Sequence, residues 1–282
     1  MSGGGASAAW LAPAMMIASG SIHAMVNAIL KGGRDKMAGR AVIDGSSALL
    51  LLPATLLVPL PHGAWGWLAG TALLHCAYLY ALVRAFETSD FSAAYPILRG
   101  TAPLVTAALA IGLFGEAASG RELAGIALIG AAMFVMVGGR HISREGLGWA
   151  LFTGVTVAAY TVIDANGVRA APTPVSYIVW MFVLMGGLTV TMFALLSRGA
   201  IFAAAGTQWR PGVAAGALSI LTYGLALSAF ALGPTAPLAA LRETGMVTAL
   251  LIATFVLKER VTIGRAVGVA GILAGAVLIL TR

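Results

Sequence analysis

Two arginines, Arg99 and Arg242, interrupt long apolar stretches 143 residues apart. A guanidinium stays charged at any physiological pH. Its planar fork grips a carboxylate or a phosphate through two parallel hydrogen bonds. Charge inside a bilayer is costly, so it marks a pathway or a binding site by default. Two roles stand side by side: direct contact with an anionic substrate group, or an ion pair with a buried acid that fixes helix packing. Glu243, Asp164, Asp44, Glu87 and Asp90 are the candidate acids. Arg242 and Glu243 are neighbours and point about 100° apart on a helix, so they are not expected to touch. Gly100 follows one arginine and Glu243 the other, so a site between them is expected to be asymmetric.

Glu243 and Asp164 lie well inside apolar runs. Each could neutralise an arginine, hold a substrate ammonium or exchange protons with a gradient. His23, Asn27, His75, Tyr78, Tyr80, Tyr95, Tyr160, Trp180 and Tyr223 are the candidate polar and aromatic lining. His75, Tyr78 and Leu82 share one helical face. Arg84, Glu87 and Asp90 follow an i, i+3, i+6 spacing, which reads as an ion-pair ladder at the membrane surface, with a gate as the alternative. Trp10, Trp65, Trp67, Trp149 and Trp209 fall at run ends and read as interfacial anchors.

The elements that must position these groups are membrane helices. The chain of 282 residues is 60% hydrophobic and 10% charged, with mean hydropathy +0.95. A soluble domain carries about 25% charged residues. Ten runs are long enough to span, at about 8–30, 41–60, 65–87, 91–114, 121–138, 147–168, 175–197, 211–232, 236–257 and 262–280. The expected fold class is therefore an all-α integral membrane protein with ten transmembrane helices. Cys76 is the one cysteine and the four histidines are scattered, so no metal site or cofactor is expected. The opening Met-Ser-Gly-Gly-Gly-Ala-Ser has no basic stretch, so no cleaved leader is expected.

The runs repeat. Residues 94–101 and 237–244 share Leu-Arg-x-Thr, and at that offset Tyr80 meets Tyr223, Glu116 meets Glu259 and Gly125 meets Gly268. At an offset of 137, His23 meets Tyr160 and Asn27 meets Asp164. This predicts two five-helix copies, 1–140 and 141–282, in one membrane domain. An odd number of spans per copy inserts the second copy upside down, the inverted repeat of many secondary transporters. Eleven of the 17 basic residues fall in loops of one face, three on the other and three within spans. The positive-inside rule then puts both termini outside.

Three pieces of sequence carry a resemblance. They are Leu-Phe-Gly-Glu116 with its partner Val-Leu-Lys-Glu259-Arg, the stretch Tyr223 to Leu238 with its Gly-Pro-Thr-Ala-Pro turn, and the glycine-rich runs Gly125 to Gly130 and Gly264 to Gly275. The chain resembles the drug/metabolite transporter superfamily, specifically its EamA-type ten-helix members. The resemblance implies alternating access and a small-molecule substrate, in a family that handles amino acids, drugs, sugars and phosphorylated metabolites. Better-known branches place both termini in the cytoplasm, against the charge count, so sidedness stays open. Glu116 and Glu259 are read as caps that pin the following helix. The two glycine-rich helices are expected to pack on each other or on the core bundle, holding the halves together.

The expected function is a secondary transporter of an amino acid or a related carboxylate, phosphonate or phosphate, in a bacterial cytoplasmic membrane. The alternative is a proton-coupled exporter of cationic or lipophilic compounds. No phosphate-binding loop or nucleophile–base pair is present, so no enzyme is expected. A membrane-embedded enzyme or lipid scaffold remains the reading from another class. The expected partners are the substrate, the bilayer and, as a candidate coupling ion, protons; nucleic acid is not expected. A monomer is expected, with a homodimer as the alternative.

Overall fold

A computed structural model describes residues 3–32, 35–138, 142–256, 258 and 261–281. Glu259, Arg260, Arg140 and His141 lie outside the described residues. The described chain is helical: α1 (Gly3–Gly32), α2 (Lys36–Leu51), α3 (Trp65–Thr88), α4 (Phe91–Phe114), α5 (Gly120–Val135), α6 (Arg144–Ala170), α7 (Pro174–Leu196), α8 (Ala200–Leu232), α9 (Thr235–Leu241), α10 (Gly245–Leu251) and α11 (Ile263–Leu280). Short tight turns, Leu52–Leu56 and Arg242–Thr244, and a wide turn, Ile252–Val256, complete it.

Local sequence sets the ends. The Asp35 side chain caps α2, Ser143 caps α6, Thr173 caps α7 and Thr262 caps α11. Ser119 and Glu122 close a reciprocal capping box on α5. Each cap satisfies an amide that hydrocarbon cannot solvate. Gly115 ends α4 at φ +66, a left-handed conformation that favours glycine.

Among the described residues, eight helical spans are long and apolar enough to cross a membrane, against ten expected. The two shortfalls are α2 and α5, which each stop at 16 residues. At 1.5 Å per residue that is about 24 Å, short of a hydrocarbon core of about 30 Å. In addition, the ninth expected run is one span, Thr235–Val256, broken into α9 and α10 by the turn at Arg242. That break brings the α-helix count to eleven. The surface is apolar, with Leu49, Leu56, Leu57 and Leu73 among the most exposed side chains. Such a surface suits lipid.

The centre holds Met16, Leu68, Ile129, Tyr177, Leu227, Leu241 and Ile272. α3 and α4 pack along α6, and α1 packs along α8 and the broken span. α5 lies against α11, one of the two placements the glycine pattern predicts. There a Cβ on Gly125 would stand 2.6 Å from the Gly275 carbonyl oxygen, and one on Gly275 would stand 2.7 Å from that of Gly125. The break at Arg242 has a similar cause. A Cβ on Gly20 of α1 would overlap the Arg242 carbonyl, and one on Gly245 would overlap the backbone of Gly20. The chain thus tightens where two backbones touch, with Thr244 Oγ1 donating to Leu241 O at 2.7 Å.

Gly20→Ala should therefore destabilise the protein by about 1–3 kcal/mol, the usual cost of overpacking. Gly187→Ala, which meets nothing within 4 Å, is the matched control. Thermal unfolding of both in detergent checks this. Equal melting temperatures would refute the close crossing.

Candidate functional site

Three ionic arrangements lie within the bundle, two between helices and one along a single helix. In the first, Arg99 of α4 meets Glu243 of the broken span. Its Nε stands 2.9 Å from Glu243 Oε2, with the side chains 12% and 5% exposed. Neither atom makes an aligned hydrogen bond, so Coulomb attraction in a weakly screening interior holds the pair. In the second, Arg40 Nε donates to Asp44 Oδ2 at 2.8 Å, one turn apart on α2. In the third, Asp164 of α6 is fully buried. It accepts hydrogen bonds from Tyr177 Oη of α7 at 2.7 Å and from Tyr223 Oη of α8 at 2.5 Å.

Arg242 is left over. Its Nε is buried without a partner, and among the described residues no carboxylate lies within ion-pair distance of it. Its guanidinium sits 5.2 Å above the Tyr223 ring. A desolvated cation over an aromatic face gains about 2 kcal/mol. Arg99 lies 6.0 Å over Tyr95 in the same way. The expectation that Arg242 and Glu243 do not touch agrees with this placement. Of the five candidate acids, only Glu243 meets Arg99.

An aromatic cluster connects these groups. His75 stacks on Tyr160 at 4.0 Å and meets Tyr78 and Tyr223 edge-on at 6.2 and 6.5 Å. Tyr78 also meets Tyr160 at 5.6 Å. His75 Nδ1 lies 2.9 Å from Thr71 O, which occupies that nitrogen. Asn27 Nδ2 donates to Tyr95 Oη at 3.4 Å. His23 of α1 stands in the field of Arg242, Arg99 and Arg40.

The structure separates two candidate lining residues from this group. Tyr80 is half exposed and packs on Trp149 at 5.8 Å, lining an outer groove with Met37, Arg84, Glu87 and Phe193. It points away because it sits two residues past Tyr78 on the same helix, about 200° round. Trp180 packs edge-on against Trp65 at 5.4 Å, near the start of α7, with its Nε1 buried and unpartnered.

Three participants were not singled out from sequence. Arg40 reads as a loop charge but lies on α2 beside Asp44. Asp44, weighed only as a partner for Arg99 or Arg242, takes Arg40 instead. Tyr177 reads as an ordinary tyrosine near a helix start. The signal for it is Gly167, one turn beyond Asp164, where a Cβ would come 2.5 Å from the Tyr177 ring.

At one face Glu116 ties four helix ends. Arg169 Nη1 donates to Glu116 Oε1 at 2.8 Å, and Thr235 donates to Glu116 through its N–H at 2.7 Å and its hydroxyl at 2.6 Å. Arg169 also donates to the carbonyls of Phe230 and Gly233 at 2.9 and 2.7 Å. Glu116 was expected to pin the helix that follows it. Instead it caps α9, across the bundle, because the α9 N-terminus presents free amides that favour an anion. Burial pushes its carboxyl up, but the hydrogen bonds from Thr235 and Arg169 and the Arg169 charge outweigh this and hold it below the usual carboxylate range. At the opposite face Arg84 bonds Glu87 at 2.8 Å, as the spacing suggests, and also Glu145 of α6 at 3.1 Å. Asp90 holds the N-cap position of α4 without a side-chain capping bond.

This is a multi-pass helical membrane protein with a charged and aromatic interior. Residues 144–281 match the EamA-like transporter family. That family points to a membrane transporter of the drug/metabolite type rather than an enzyme. A solved structure described only as the crystal structure of a protein superposes with a TM-score of 0.75 at 20% identity, over 96% of each chain. The fold is thus shared. No curated protein matches this chain in sequence.

Because Glu116 is held below its ordinary range, its contribution to stability is present above that range. It is lost as pH falls through the lowered folded value. Glu116→Gln should cost about 1–3 kcal/mol at neutral pH, and its gap from the wild type should close on acidification. Melting curves of both proteins across pH decide it. A gap that persists into acid would refute the charged cap.

Proposed function

We propose that this chain is a secondary active transporter of a small polar metabolite carrying an anionic group, either an amino acid or a related carboxylate, phosphonate or phosphate. Transport runs by alternating access between two inverted five-helix copies, 1–140 and 141–282. The observation that carries the reading is Arg242, whose Nε is buried and unpartnered and which, among the described residues, has no carboxylate within ion-pair distance, close to the paired Arg99 and Glu243. A zwitterion offers its anionic end to Arg242, and its ammonium can share Glu243. His23, Asn27, His75, Tyr78, Tyr95, Tyr160 and Tyr223 line the path around it.

The close helix crossings support two inverted copies. Gly20 of α1 meets the Arg242 turn in the second half. In the first half, the Leu98 carbonyl oxygen and Thr101 would lie 2.8 and 2.6 Å from a Cβ on Gly154 of α6. Each half thus sends its first helix across the arginine segment of the other. The family match at 144–281 spans the second copy.

A second reading is a proton-coupled exporter of cationic or lipophilic compounds. It is favoured by the ring cluster beside Asp164, since aromatic faces next to a carboxylate suit a cation. Asp164→Asn would then abolish drug resistance in an export assay.

Uptake of labelled amino acids and small anions into proteoliposomes tests the first reading. Arg242→Ala should weaken apparent affinity about 10- to 150-fold, the value of a hydrogen bond to a charged group of 1.5–3 kcal/mol. Arg99→Ala should fail more broadly, because it strands Glu243 as an uncompensated buried charge. Unimpaired transport in both variants would sink the anion site.

A further inference from the structure

Resting on the anion reading of Arg242, we propose that Asp164 is the coupling-proton site, and that Tyr223 links it to Arg242 so that a proton and an anion bind together. Among the described residues, the other carboxylates sheltered within the bundle each have a cation: Asp44 has Arg40 and Glu243 has Arg99. Asp164 has two phenols instead, and Arg242 has a phenol ring. The two unpaired charges therefore share one residue. Tyr223 gives its hydroxyl to the anion and its face to the cation.

The groups that face Asp164 leave no other neutraliser. From α3 come His75 and Tyr78, the histidine already engaged with Thr71 and Tyr160. From α4 come Tyr95 and Arg99, the arginine already paired with Glu243. α7 gives Tyr177 and α8 gives Tyr223. The broken span gives Arg242 and Glu243. On α6 itself Tyr160 is stacked on His75, and Arg169 is tied to Glu116.

The step is a proton transfer. A hydronium ion on one side gives up one O–H bond as an O–H bond forms on the Asp164 carboxylate, leaving water, and the reverse transfer to water on the other side releases the proton. The neutral acid then donates where it had accepted, so one of the two phenols turns its hydroxyl hydrogen aside and accepts instead. Its lost negative charge no longer offsets Arg242, which draws an anion more strongly. By linkage, a bound anion holds the proton to the same degree. Asp164 is sealed here, so its proton exchanges only when the cavity opens, which ties it to the transport cycle.

The test has two arms, both on the full-length protein in lipid nanodiscs. Infrared titration should show a protonated-carboxyl band that grows on acidification in the wild type and in Glu243→Gln and is missing from Asp164→Asn. In Tyr223→Phe, which keeps the ring but loses the donor, the band should appear at higher pH. In the second arm, thermal-shift titration uses L-alanine and sulfate, whose charges are constant over the range. Wild-type affinity for at least one should rise about 5- to 150-fold on acidification, the usual span of such coupling. Asp164→Asn should hold the acid-form affinity at every pH. A band that survives in Asp164→Asn, or wild-type binding that ignores pH, overturns the proposal. If neither probe binds at any pH, the anion reading fails, while the infrared arm still supports or refutes Asp164 as the proton site.

Discussion

A charge inside a bilayer has no solvent to turn to, so it must be answered by another side chain. The interior of this protein is organised by that constraint. Arg40 answers Asp44 within one helix, and Arg99 answers Glu243 between two. The second pair fixes an orientation, because breaking it strands a bare ion, at about 3–5 kcal/mol. The Arg99–Glu243 contact sets the distance between α4 and the broken span. The tyrosines take the remainder, with two hydroxyls on Asp164 and one ring under Arg242. Tyrosine suits this task because it joins an apolar body to a polar tip.

The broken span shows why glycine matters more than proline here. α4 runs unbroken through Pro96 and Pro103. The second arginine segment also carries a proline, Pro237, yet it breaks five residues later, where Gly20 and Gly245 bring two backbones together. The tight turn rotates Arg242 and Glu243 apart, one toward Tyr223 and the other toward Arg99. The two arginines therefore hold unlike partners despite their like surroundings in sequence.

Hydropathy made most spans legible, and the glycine spacing of α5 and α11 marked both as close-packing helices, with their contact as one of two placements. What it could not foretell was length at the margins, since α2 gives way at Leu52 to a tight turn carrying Pro53 and α5 ends at Val135, ahead of Gly138 at φ +60. The shared Leu-Arg-x-Thr brought Arg99 and Arg242 forward, and the intramembrane acids followed. The choice of partner was illegible because it depends on a helix crossing that no local pattern encodes. Arg40 was hidden by its place at the edge of a run, where basic residues usually orient the chain. Tyr80 misled for a plainer reason: it aligns with Tyr223 in sequence, but its side chain faces outward.

The two rims of the bundle differ in how they respond to the solution around them. The Glu116–Arg169–Thr235 knot is mostly sheltered, with its carboxylate side chain 14% exposed, whereas Glu87 and Glu145 at the other rim are 55% and 59% exposed. Counter-ions screen exposed pairs and largely spare sheltered ones. Ionic strength is thus a lever that reaches one rim and not the other. Raising salt on one side of the membrane would loosen the Arg84 ladder there and leave the Glu116 knot in place.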